Sequence, residues 1–134
     1  MVLNINTLQQ LGKYLFILPF AAFGFLHFGP LEFSIDYVPG WLPAPAFWVY
    51  FVGLCLLAFP LSAVLQKLDA LAALLLALLL LVFVGSIHIP KALSGDFLGI
   101  IATFRDSCMA GAALIYTAFL AKDYRYTGLN SHNL

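Results

Sequence analysis

Four apolar stretches, separated by short polar or proline-rich interruptions, account for nearly all of the chain. The first runs from Tyr14 to Leu31, between Lys13 and Glu32, without a charged side chain, and closes on Gly29 and Pro30, which do not readily continue a helix. A cleavable leader would carry more positive charge before its apolar core and a small-x-small site after it. Phe23, Phe25, His27 and Phe28 stand there instead, so the segment reads as retained. The second stretch, Ala46 to Leu65, holds Pro60, whose ring removes one helix hydrogen bond and is expected to kink it. The third, Leu68 to His88, is nearly pure Leu, Ala and Val, apolar all round as a lipid-facing helix requires, and Pro90 is expected to end it. In the fourth, Thr103 and Asp106 have the spacing of a capping box, so a helix is expected to start at Phe104. A start at Asp96 is the alternative, and it would place Arg105 and Asp106 inside the helix. The predicted helices cover about residues 8–28, 46–65, 68–88 and 104–121, followed by a tail at 122–134.

Three prolines and Gly40 forbid regular helix between Glu32 and Pro45. This Pro/Trp-rich loop is expected to be ordered, capping the bundle through Trp41 and the acids Glu32 and Asp36, with Trp41 and Trp48 at headgroup level. Gln66, Lys67 and Asp69 make a tight turn. The tail, with Tyr124, Tyr126, Asn130 and Asn133, reads as an interfacial anchor followed by a disordered end.

Composition turns these helices into membrane spans. The 134 residues are 63% hydrophobic and 9% charged, against roughly 25% charged in a soluble domain. Such a chain cannot cover a water-facing surface, and four spans of about 20 residues use up its length. The fold class is therefore an all-α integral membrane four-helix bundle, one transmembrane domain over residues 1–134, in contact with the lipid bilayer. Zero net charge and scattered basic residues exclude a nucleic-acid footprint. Lys13, Lys67, Lys122 and Arg125 fall on one side and Lys91 and Arg105 on the other, which puts both termini in the cytoplasm of a multi-pass protein.

That assignment gathers His27, Glu32, Asp36, His88, Lys91, Arg105 and Asp106 at the outer ends of the helices and leaves no comparable cluster at the inner ends. Gly24-Phe25-Leu26-His27 is echoed by Gly85-Ser86-Ile87-His88, with a proline soon after each, which suggests two pseudo-repeated helical hairpins. Two readings stay open. In one, each glycine allows close packing and each histidine caps its own helix. In the other, His27, His88, Arg105 and Asp106, with Asp36 and Trp41 in the loop above, line an outward ligand pocket, because ionisable groups in a membrane tend to face an interior cavity. Arg105 either snorkels to the headgroups or binds a carboxylate, a quinone oxygen or Asp36 in the loop above. Cys55 and Cys108 form no Cys-x-x-Cys pair, and buried thiols in apolar surroundings usually behave as small hydrophobes; no metal site is read.

The loop Val38-Pro39-Gly40-Trp41-Leu42-Pro43 leading into Phe47-Trp48-Val49-Tyr50-Phe51-Val52-Gly53, the Ile87-His88-Ile89-Pro90-Lys91-Ala92 ending and Arg105 before Met109-Ala110-Gly111-Ala112-Ala113 resemble the DoxX-like family of small bacterial four-helix membrane proteins. The resemblance spans about Leu15 to Phe119. It implies a bacterial inner-membrane location and, through the DoxD-type subunit of thiosulfate:quinone oxidoreductase, a quinone-linked redox role. One departure matters: many relatives carry a glutamate soon after the glycine matching Gly53, whereas Leu54, Cys55, Leu56 and Leu57 follow here. The competing roles are a nonenzymatic membrane partner or homo-oligomer packing through Gly53, Ala110, Gly111 and Ala113, a small transporter, and haem ligation by His27 and His88. Whether the chain is an enzyme stays open at this level.

Overall fold

Asn4 starts the first helix by accepting the Asn6 N–H on its side chain, and from there the computed structural model describes residues 4–129. Asn130 and Asn133 lie outside the described residues. The elements are α1 (Ile5–Leu26), two single 3-10 turns (Leu31–Phe33 and Ile35–Tyr37), α2 (Pro45–Leu65), α3 (Asp69–Phe83), a π turn (Val84–His88), α4 (Ile89–Leu93) and α5 (Phe97–Phe119). Helices alone make up the regular structure of the described residues. Three of them, α2, the continuous rod Asp69–Leu93 and α5, are long and apolar enough to cross a membrane. α1 packs along α2, α2 along α3, and α3 along α5, so consecutive helices are neighbours.

Hydropathy cannot say which face of so uniform a helix turns inward; side-chain size does. On α3 the buried stripe is Asp69, Ala70, Ala73, Leu76, Ala77 and Leu80, while Leu75, Leu78, Leu81 and Val82 face outward. On α5 Ala110 and Ala113 are buried against it. Apolar side chains gain little by leaving lipid, so contact distance decides, and small residues let two backbones approach. Gly53, Ala110 and Ala113 are thus taken up in packing inside the chain; of the four small residues read as a packing surface, Gly111 is the one with open space where a side chain would be. The centre is aromatic: Phe59 meets Phe16, Phe20 and Tyr116 edge-on, with ring centroids 5.4, 5.9 and 5.3 Å apart.

α1 and α2 cross where two glycines meet. A methyl group on Gly53 would lie 2.7 Å from the His27 Cβ and 3.2 Å from the Gly24 carbonyl oxygen. Gly53→Ala is therefore expected to push α1 off α2 and cost about 1–3 kcal/mol, the usual range for overpacking. Thermal unfolding in detergent checks this, with Gly111→Ala, where space is open, as the variant that leaves stability unchanged.

Three sequence expectations fail locally. Pro90 does not end the third helix: the chain widens into the π turn, which relieves the clash of the proline ring with the carbonyl four residues back, and continues to Leu93. The last helix starts at the alternative position, with Asp96 accepting the Leu98 N–H at 2.9 Å. Thr103 caps nothing, because its hydroxyl donates to the Gly99 carbonyl of its own helix at 2.8 Å, and Asp106 turns sideways instead of back. The loop after α1 is ordered but held differently from expectation. Trp41 is 73% exposed, and Glu32 and Asp36 are not buried beneath it. Its fastenings are the Trp48 indole N–H on the Pro43 carbonyl at 3.0 Å and the Lys91 ammonium 4.4 Å above the Tyr37 ring.

The largest departure is at the opposite end, where no polar cluster was expected. Asp69 is wholly buried, and its carboxylate accepts the N–H of Lys122 at 3.0 Å, the N–H of Asp123 at 2.8 Å, the Tyr116 hydroxyl at 3.2 Å and the Ala70 N–H at 3.2 Å. Asp123 answers by accepting the Leu68 N–H at 2.8 Å, which stabilises a left-handed Leu68 (φ 54°) that a residue with a side chain adopts only at a cost. The Arg125 guanidinium, and after it the Leu68 N–H, hold the Asp123 carboxyl well below the usual carboxylate range. The start of the tail is thus stitched to the α2–α3 turn, and Tyr124 folds back to give its hydroxyl to the Thr117 carbonyl at 2.8 Å.

Candidate ligand cavity

The π turn sets up the site. Continuing α3 without an inserted residue would rotate the segment beyond it by a fraction of a turn; the wide turn instead presents His88 to the interior, where it is 8% exposed. Opposite it, early capping at Asp96 brings Asp106 to the buried face of α5. The two meet: His88 Nε2 donates to Asp106 Oδ2 at 2.9 Å, and Arg105 Nε donates to Asp106 Oδ1 at 2.7 Å. One buried carboxylate therefore joins two helices and anchors an arginine whose guanidinium is half-exposed. Arg105 does not reach Asp36; its carboxylate partner is its own neighbour.

These groups form the wall of a cavity of about 760 Å³ between the loop and the helices. His27, His88, Arg105, Asp106 and Trp41 all line it, with Lys91, Asp96 and Trp48, which sequence reasoning had not placed there. The remaining lining is largely apolar, including Phe20 and Phe23 of α1, Val52 and Leu56 of α2 and Leu79 of α3. Asp36 does not line it; with Gly40 and Pro90 it borders a smaller, adjoining hollow of about 280 Å³ that shares Tyr37, Ile87 and Lys91 with the cavity.

The two histidines share the cavity but are held differently. His27 Nδ1 lies 2.7 Å from the Phe23 carbonyl oxygen of its own helix, as in the capping reading, whereas His88 bonds across to α5. Their glycines differ too, since Gly24 packs against α2 and Gly85 has no neighbour within 4 Å. The echo between the two tetrapeptides thus does not extend to equivalent roles. Cys55 and Cys108 are free thiols, and neither lines the cavity. Among the described residues no three His, Cys, Asp or Glu side chains group so as to hold a metal ion. The signal for the His88–Asp106 pair was present in the sequence as an acid and a histidine on neighbouring apolar helices, but it was hidden by the capping spacing that gave Asp106 another use. Asp69 carried no such signal, because most of its partners are main-chain N–H groups that nearly every residue has.

Comparison with protein-family models, curated proteins and solved structures finds no match to the chain.

Proposed function

We propose that the chain is a DoxX-like four-helix bundle of the bacterial inner membrane, with α1 as the fourth span and both ends cytoplasmic, and that its outward cavity binds a membrane quinone on behalf of a redox partner. The observation that carries this reading is the buried His88–Asp106 pair, with the half-exposed Arg105 anchored on it, set in the wall of a largely apolar cavity of about 760 Å³. That volume lies within the range of about 300–1,000 Å³ in which proteins hold small organic ligands. An apolar volume open to polar groups at one end matches an amphiphile that has a hydrogen-bonding ring and a hydrocarbon tail. Phe23, Tyr37 and Trp48 supply aromatic walls for such a ring. A partner protein would supply or take the electrons, because quinone reduction needs a redox centre beyond these side chains.

The protein purified from its native membranes in mild detergent is expected to carry close to one quinone per chain, read by mass spectrometry of the extracted lipids. Filling the cavity with Val52→Trp is expected to remove it while leaving the helical content intact. Wild-type protein that carries only phospholipid would overturn the reading.

A further inference from the structure

The hydrogen bonds already made inside the cavity determine what the remaining ring nitrogens can do. A carbonyl oxygen only accepts, so the 2.7 Å contact between His27 Nδ1 and the Phe23 oxygen requires the proton on Nδ1. In the uncharged ring Nε2 is then a bare acceptor. Asp106 likewise accepts from Arg105 on one oxygen and from His88 Nε2 on the other, which puts a proton on His88 Nε2 and, in the uncharged ring, leaves Nδ1 as a bare acceptor. Among the described residues neither free nitrogen has a partner. No sealed side-chain nitrogen or oxygen among the described residues lacks one either, so both free nitrogens reach open space. Both residues line the cavity, which is the open space they share.

We infer that this cavity recognises the hydroxyl-bearing, reduced form of its ligand, a hydroquinone, in preference to the quinone; the inference rests on the quinone-site reading above. A hydroquinone oxygen donates to a histidine nitrogen and can accept from the half-exposed Arg105 guanidinium at the same time. A quinone oxygen only accepts. It suits Arg105 but sets lone pair against lone pair at His27 and His88, leaving both ring nitrogens unmatched in a low-dielectric wall. The two histidines are therefore selectors of oxidation state, and the site is a place where quinol is held, as a donor of reducing equivalents or as a product awaiting release.

The test measures binding of three decyl-substituted ligands to the detergent-solubilised full chain under anaerobic conditions: a benzoquinone, its hydroquinone and the hydroquinone dimethyl ether. The expected order is hydroquinone tighter than the other two by about tenfold, the worth of one to two net hydrogen bonds. His27→Leu, which keeps the Cβ that rests against Gly53, is expected to narrow that preference to about threefold with little change for the ether. Equal binding of hydroquinone and ether would overturn the inference while leaving the cavity a quinone site. Tighter binding of the quinone would overturn it too, since the rings would then be donors. If none of the three binds, the proposed function fails and takes the inference with it.

Discussion

Asp69→Ala is expected to be the most damaging single substitution in the chain, lowering stability by on the order of 4 kcal/mol. The carboxylate is wholly buried and satisfies the N–H groups of Lys122 and Asp123 and the Tyr116 hydroxyl. Each donor left without a partner costs about 1–3 kcal/mol when water cannot replace what was lost. Main-chain donors cannot be removed by compensating mutation, so the loss has no simple rescue. Tyr116→Phe deletes one donor and its 3.2 Å bond together, so it is expected to cost only about 1 kcal/mol. Chemical or thermal unfolding in detergent measures both. Hydrogen exchange should show the Lys122 and Asp123 amides losing protection in Asp69→Ala but not in Tyr116→Phe. A cost for Asp69→Ala no larger than that of Tyr116→Phe would mean that the tail is held by something other than this carboxylate.

Asp106→Leu is expected to abolish ligand retention and to cost about 2–4 kcal/mol. It strands the His88 N–H in a buried wall and frees Arg105 from its 2.7 Å anchor. Replacing both members of a buried polar pair by apolar residues is often close to neutral for stability, because the desolvation penalty disappears with the pair. The double variant His88→Leu/Asp106→Leu is therefore expected to recover most of the stability lost in Asp106→Leu and none of the binding. Unfolding measurements read the first outcome and copurified quinone the second. Recovery of both would show that the pair is scaffolding; recovery of neither would show that His88 packs in a way its ion pair does not explain.

Asp69 opens α3 whereas Asp106 lies midway along α5, and the sequence marks the two acids unequally. His27, His88, Arg105 and Asp106 stood out as costly groups within apolar stretches, and all four line the larger cavity. Asp69 stood beside Gln66 and Lys67 and read as an ordinary turn residue. Nothing local distinguishes an acid that faces water from one that receives the end of a helix more than fifty residues later. Pro90 and the Thr103–Asp106 spacing misled for the related reason that each is a local rule. A proline stops a helix only where the turn before it keeps α geometry, and a capping box forms only where the chain has not already begun its helix at Asp96.

The sequence by itself determined the helical character, the apolar lengths of the segments and the irregular loop between Glu32 and Pro45. These depend on transfer of side chains from water and on proline and glycine geometry, which act residue by residue. Tertiary structure alone decided which faces of α3 and α5 turned toward each other. Within segments that are apolar on every side the hydrophobic effect is nearly indifferent, and the choice passes to the close approach allowed by Ala70, Ala73, Ala77, Ala110 and Ala113. It also decided the partners of the few polar groups. A buried carboxylate must find donors wherever the fold brings them, so Asp106 found His88 through an extra-wide helical turn and Asp69 found the main chain of the tail.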